Sequence, residues 1–209
     1  MPQQPTITFH RQDLPNDFPL EADVAVDTET MGLNHHRDRL CLVSISDGSG
    51  TAHLVEIARG QNSAPNLKRV LENPATTKLF HFARFDVVTL KKHLNIDCDP
   101  IYCTKIASKL ARTFSDKHGL QTLCRDLLGI EISKDQQSSD WGSGVLSDDQ
   151  KRYAASDVLY LHQLRERLDQ MLLREGRDEL AQRCFAFLPT RAALDMDGWT
   201  DKEPDVFSH

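Results

Sequence analysis

The sequence predicts an α/β fold built on a mixed sheet, and three observations carry that prediction. Short apolar, β-branched runs fill the chain before Phe82. An Asp47-Gly48-Ser49-Gly50 hairpin turn joins two of them into an antiparallel meander. From Arg84 onward the apolar spacing changes to a helical period.

Residues 1–20 form a polar lead-in, where Thr6-Ile7-Thr8-Phe9 suits a short edge strand but is too brief for periodicity to settle. Val24-Ala25-Val26-Asp27-Thr28-Glu29-Thr30 begins as a buried strand and ends in acids. A loop, Met31 to Asp38, leads to strands at Leu40–Ser46 and Thr51–Ile57. A helix over Pro65–Glu72 places Leu67, Val70 and Leu71 on one side and stops at Asn73-Pro74. Lys78–Phe82 reads as a fourth strand, followed by a helix whose buried side is Phe85, Val88, Leu90 and Leu94, with Asp86 in its first turn. Pro100–Tyr102 is extended, Cys103–Arg112 is helical, and Leu120, Leu123, Cys124, Leu127 and Leu128 define a helix that Gly129 ends. Ile130–Gly144 is a polar loop with Trp141 as its exception. Ser147 and Gln150 form a capping box that opens one long helix, its stripe running from Ala154 through Val158, Leu161, Leu164 and Leu168 to Met171. A last helix covers Arg177–Leu188, and 189–209 carries little periodic signal.

The chain has 209 residues, 39% hydrophobic and 27% charged, which suits one globular domain. No apolar run approaches a membrane span, and Met1–Leu20 is polar and broken by prolines, unlike a signal peptide. A cytoplasmic protein without membrane contact is expected. The five cysteines lack C-x-x-C spacing and read as reduced, mostly buried thiols. A net charge of −6 argues against a protein that grips long nucleic acid through many phosphates. It leaves room for short substrates, because two divalent ions among clustered acids would bring −6 to −2.

Side chains two apart on a strand share a face, so Asp27 and Glu29 point the same way. Paired carboxylates repel unless a cation or a proton intervenes, although a D-x-E taken alone also suits a solvated strand end. Asp86 starts a helix, where peptide N–H groups favour an anion. Tyr153 and Asp157 lie four apart on one helix face. Four carboxylates at element ends suit two magnesium or manganese ions: one lowers the pKa of an attacking water, the other stabilises a leaving 3′ oxygen.

Three motifs resemble the RNase D type of 3′→5′ exonuclease with a catalytic tyrosine: Asp27-Thr28-Glu29-Thr30-x-Gly32-Leu33, Phe80-His81-x-x-x-Phe85-Asp86, and Tyr153-Ala154-Ala155-Ser156-Asp157. They stand in that family's order and spacing across most of residues 20–170. The histidine branch carries its histidine where this chain has Arg152. Cys103–Ser108, Gln136–Trp141 and Cys184–Arg191 are similar to the nano-RNase C group, which degrades dinucleotides and assembles as ring-shaped octamers.

The resemblance implies an RNase H-like exonuclease fold with a mostly five-stranded mixed sheet, a catalytic core over about 20–175 and a C-terminal helix and tail over 176–209. It implies that Asp27, Glu29, Asp86 and Asp157 hold two Mg²⁺ or Mn²⁺ ions, that Tyr153 orients the attacking water, and that short RNA, above all dinucleotides, is the substrate. A phenol of pKa about 10 is a poor base at neutral pH, so Tyr153 is assigned to positioning. Thr30, Leu33, His81 and Trp141 are the implied substrate contacts. Each of the last three has an ordinary reading: Leu33 as a loop-anchoring core leucine, His81 as a hydrogen-bonded structural histidine, Trp141 as a plug rather than a base-stacking ring.

Lys105, Lys109 and Arg112 share a helical spacing that reads first as a solvated face, and otherwise as a 5′-phosphate pocket with His118. The last helix, with Leu180, Cys184, Phe185 and Leu188, packs on its own domain or, as the ring-forming group suggests, across subunits of a homo-oligomer. Two further readings stand beside this one: a broader RNase D-like enzyme trimming longer RNA or DNA, and a non-catalytic RNA-binding or interaction domain. The presence of all four acids and Tyr153 counts against the latter.

Overall fold

The computed structural model describes residues 5–133, 135–199 and 206. Six strands form one sheet in the order β1-β4-β3-β2-β5-β6. They are β1 (Thr6–Arg11), β2 (Asp23–Thr30), β3 (Leu40–Ser46), β4 (Thr51–Glu56), β5 (Thr77–Phe80) and β6 (Ile101–Cys103). β3 runs antiparallel to both β2 and β4, while β1, β5 and β6 each join their neighbours in parallel, so the sheet is mixed. The expectation of five strands falls one short. β6 is only three residues long, below what alternation reveals, yet all three are buried. β3 is buried along its whole length, as a central strand covered on both faces should be.

The helices are α1 (Pro65–Leu71), α2 (Ala83–Leu94), α3 (Thr104–Ala111), α4 (Leu120–Leu123, continued as a π turn through Leu128), α5 (Asp148–Leu159), α6 (Leu161–Arg174) and α7 (Asp178–Met196). Gly129 ends the α4 segment in the left-handed region, as its type suggests. The single long helix expected from Ser147 is two. It breaks at Tyr160 (φ −107°, ψ −2°), because α5 packs on β2, β3 and β4 whereas α6 packs on α3 and the π turn. The apolar stripe continues across the break, which is why periodicity alone did not reveal it.

The last helix also differs from expectation. It runs through Pro189 to Met196, with Ala181, Phe185, Leu188 and Ala192 buried at helical intervals. It packs on α2, α3 and β6 of its own chain, so Phe185 and Leu188 belong to the core and only positions such as Leu180 (51% exposed) face outward. Arg84 binds Asp195 through Nε (2.5 Å) and Nη2 (2.6 Å), and Arg191 adds a contact at 2.8 Å, which secures the helix beyond the proline. The end of the tail, apart from residue 206, lies outside the described residues. Four cysteines are buried and Cys184 is half-buried, all as free thiols. No helix among the described residues is long and apolar enough to cross a membrane.

Candidate active site

The acids reach one place because three elements end or begin there. β2 carries Asp27 and Glu29 on one face, and its register with β3 shifts between Glu29 and Thr30, where the strand turns away into the loop. The α2 helix opens directly after β5 and brings Asp86 in its first turn. α5, fixed at its start by the complete Ser147/Gln150 capping box, lies across β2 and delivers Tyr153 and Asp157 from one face. All five line a cavity of about 610 Å³.

One carboxylate oxygen from each of Asp27, Glu29 and Asp157 lies within 4.8 Å of the others. Asp86 stands beside this trio and is buried; its Oδ1 accepts from the Thr28 amide (3.0 Å) and the Thr28 hydroxyl (2.7 Å). Burial raises every one of these carboxyls, Asp27 to about 7 against the opposing Thr28 amide and Glu29 to about 10 with help from the charges of Asp27, Asp157 and Asp86. Asp86 and Asp157 are held well above the ordinary carboxylate range by burial and then by the charge on Asp27. Such a donor set is all hard oxygen and mutually repulsive, which fits a divalent cation of the magnesium type.

Burial also raises the Tyr153 phenol, and the charges of Asp157, Glu29 and Asp27 push it further. The phenol is hydrogen-bonded to Asp157 and stays protonated, able to donate and orient but not to take a proton.

The remaining expected contacts divide. Leu33 is 84% exposed at the cavity rim, which removes its reading as a core anchor. His81 lines the cavity and shares a hydrogen bond between Nδ1 and Thr104 Oγ1 at 2.9 Å. Thr30 lines it too, with its hydroxyl donating to the Gly32 carbonyl at 2.5 Å, so that hydroxyl fixes the turn before Leu33. Trp141 borders the cavity but is only 4% exposed, packed with Cys41, Leu42, Leu54, Leu146 and Ala154. Of the two readings of Trp141, a base-stacking ring and a plug that pins the loop, this burial favours the plug.

The cationic row is likewise corrected. Arg112 is buried and donates to Asp126 at 2.7 Å, His118 bonds Ser108 at 2.9 Å, and Lys109 is exposed, leaving Lys105 as the row's one member that lines the cavity. Lys105 holds its ammonium 4.3 Å above the ring of Phe82. Phe82 itself escaped the sequence reading: it is 46% exposed at the cavity and sits at φ +75°, rare for an aromatic. The expected strand Lys78–Phe82 hid it, since β5 ends at Phe80.

A family model described as 3′-5′ exonuclease matches residues 8–173. Ribonuclease D of Acidiphilium cryptum is 36% identical over 157 residues, covering 75% of this chain and 40% of that protein. The chain thus spans about two fifths of the length of such curated relatives. Among solved structures, Brucella melitensis NrnC bound to pGG is 54% identical with a TM-score of 0.93, covering 98% of this chain and 99% of that one. Brucella melitensis NrnC with bound Mg²⁺ superposes with a TM-score of 0.92 at 54% identity, over 98% of this chain and 99% of that one.

Proposed function

The chain belongs to the 3′-5′ exonuclease family, and from that premise we propose that it is an exoribonuclease that hydrolyses very short RNAs, above all dinucleotides, from the 3′ end to 5′-mononucleotides. The observation that carries this reading is the convergence of Asp27, Glu29, Asp86 and Asp157 with Tyr153 in one cavity. A volume of about 610 Å³ is large enough to seat the last nucleotides of an RNA 3′ end. The similarity to a protein solved with pGG supports the short size class.

Two divalent ions, magnesium or manganese, would be held by the four carboxylates; when bound they supply Lewis acidity to the attacking water and neutralise charge at the phosphate and the leaving 3′ oxygen. The chain's own groups do the rest. Tyr153 keeps its proton and directs the attacking water by hydrogen bonding, Thr28 fixes Asp86 through two donors, and Leu33 at the rim meets the terminal bases. Thr30 orders the turn that presents Leu33, and His81 lies where the sugar or phosphate would run. The whole of 1–209 acts in this reading as one exonuclease unit, working in the cytoplasm. The outward side of α7, where Leu180 is exposed, is where a contact of a homo-oligomer, a ring-shaped octamer by resemblance, would be made.

A time course with 5′-labelled RNAs two to seven nucleotides long, in Mg²⁺, tests the reading. We expect labelled mononucleotide from the two-base RNA as the fastest reaction. Accumulating dinucleotides would replace the narrow substrate range with a broader RNase D-like one. No cleavage by the wild type in either Mg²⁺ or Mn²⁺, matching an Asp157→Asn control, would leave a non-catalytic binding domain.

A further inference from the structure

Gln150 is buried in the first turn of α5 and uses both ends of its amide. Its Oε1 accepts from the Ser147 amide at 2.9 Å, and its own backbone amide donates to Ser147 Oγ at 3.1 Å, which completes the cap. A glutamate would serve that purpose as well, with an added benefit from the helix dipole. The other end has no part in capping: Nε2 donates to Ser139 Oγ at 3.1 Å and to the Asp140 carbonyl at 3.2 Å.

Those two acceptors sit in the middle of the loop segment that walls the cavity, where Gln137, Ser138 and Ser139 face the space a substrate would fill. The next residue, Trp141, packs against Tyr153 with ring centroids 6.1 Å apart. Tyr153 follows Gln150 by three residues on α5, within the same turn. Gly142 completes the clasp: its amide donates to Asp140 Oδ1 at 2.9 Å, and its missing side chain lets the Met31 sulfur approach, since a Cβ there would lie 2.2 Å from it. The wall is thus tied to the Tyr153 helix by one side-chain amide and to the loop after Glu29 by Met31.

We propose that Gln150 is a positioning residue for the exonuclease reaction: its Nε2 clamps the substrate-facing wall 137–141 to the helix carrying Tyr153, so that a nucleotide seated on the wall and a correctly placed phenol are one event. This rests on the role given to Tyr153 above. A wall loosened from α5 would shift Trp141 within its apolar seat against the Tyr153 ring and so displace the hydroxyl from the attacking water, a displacement that costs turnover rather than affinity.

The test is Gln150→Glu, which retains the cap acceptor and sets a carboxylate against the Asp140 carbonyl. With two-nucleotide RNA, assayed well below the variant's own thermal midpoint, we expect kcat to fall about ten- to a hundredfold while KM changes little. In a Trp199→Phe background Trp141 is the remaining tryptophan, and its emission shifts to the red in Gln150→Glu, which a purely capping role would not produce. Ser139→Ala, made from the wall side, gives a smaller loss in kcat that is not additive with the first, and it carries the test by itself if Gln150→Glu fails to fold. Wild-type kcat in these variants, or an unmoved Trp141 emission, overturns the proposal. Tyr153→Phe is measured alongside. If that variant is impaired while Gln150→Glu is normal, only the clamp is lost; if it is fully active, the role given to Tyr153 fails first.

Discussion

Asp27, Glu29, Asp86 and Asp157 each bind a proton more tightly in the folded chain than in an unfolded one. Between the ordinary carboxylate value of about 4 and the raised values, the native state holds protons that the unfolded state has released, so stability without metal falls as pH rises through that window. A divalent ion held by these carboxylates would replace those protons and remove the penalty. We therefore expect the thermal midpoint of the metal-free protein to drop between about pH 5 and pH 8, and the gain from added Mg²⁺ to grow over the same range. A gain that is flat with pH would mean that the ion binds elsewhere. Leu33 and Trp141 show how far a residue type can be read without coordinates. Each had two readings at equal apolarity, and what distinguishes their surroundings is exposure, 84% for Leu33 and 4% for Trp141, which no local sequence pattern carries.

At the level of elements, the strand that carries Asp27 and Glu29 and its antiparallel neighbour were legible because β2 and β3 are long and apolar, and because Asp47–Gly50 makes an unambiguous turn. The α5 start was legible from its capping box. What escaped were departures from local rules that tertiary packing compensates. Pro189 reads as a helix breaker, yet α7 passes through it because apolar burial and the Arg84–Asp195 and Arg191–Asp195 contacts outweigh one lost amide donor. Arg112 reads as surface charge, yet its helix turns it inward onto Asp126. The packing of α7 has a direct test. Phe185 is buried against Tyr102 with ring centroids 4.6 Å apart, so Phe185→Ala should cost about 3–5 kcal/mol in urea unfolding. A loss below about 1 kcal/mol would show that the helix is held mainly by its ion pairs.

Across the whole molecule, the proposed catalytic set is assembled from segments far apart in the chain, Asp27 and Glu29 on β2, Asp86 on α2, and Tyr153 and Asp157 on α5. Their spacing in sequence identifies them by resemblance, but only the sheet order makes them neighbours: β2 pairs with β5, α2 follows β5, and α5 lies over β2. The resulting cavity crowds acidic side chains in a chain already at −6, and a divalent ion held there by Asp27, Glu29 and Asp157 would relieve their mutual repulsion. Calorimetric titration with Mn²⁺, run at one pH in two buffers of different ionisation enthalpy, measures that relief directly. The account predicts saturable binding that releases protons in the wild type, persists in Tyr153→Phe and is lost or strongly weakened in Asp157→Asn. Equal heats in wild type and Asp157→Asn, with no proton release, would contradict it.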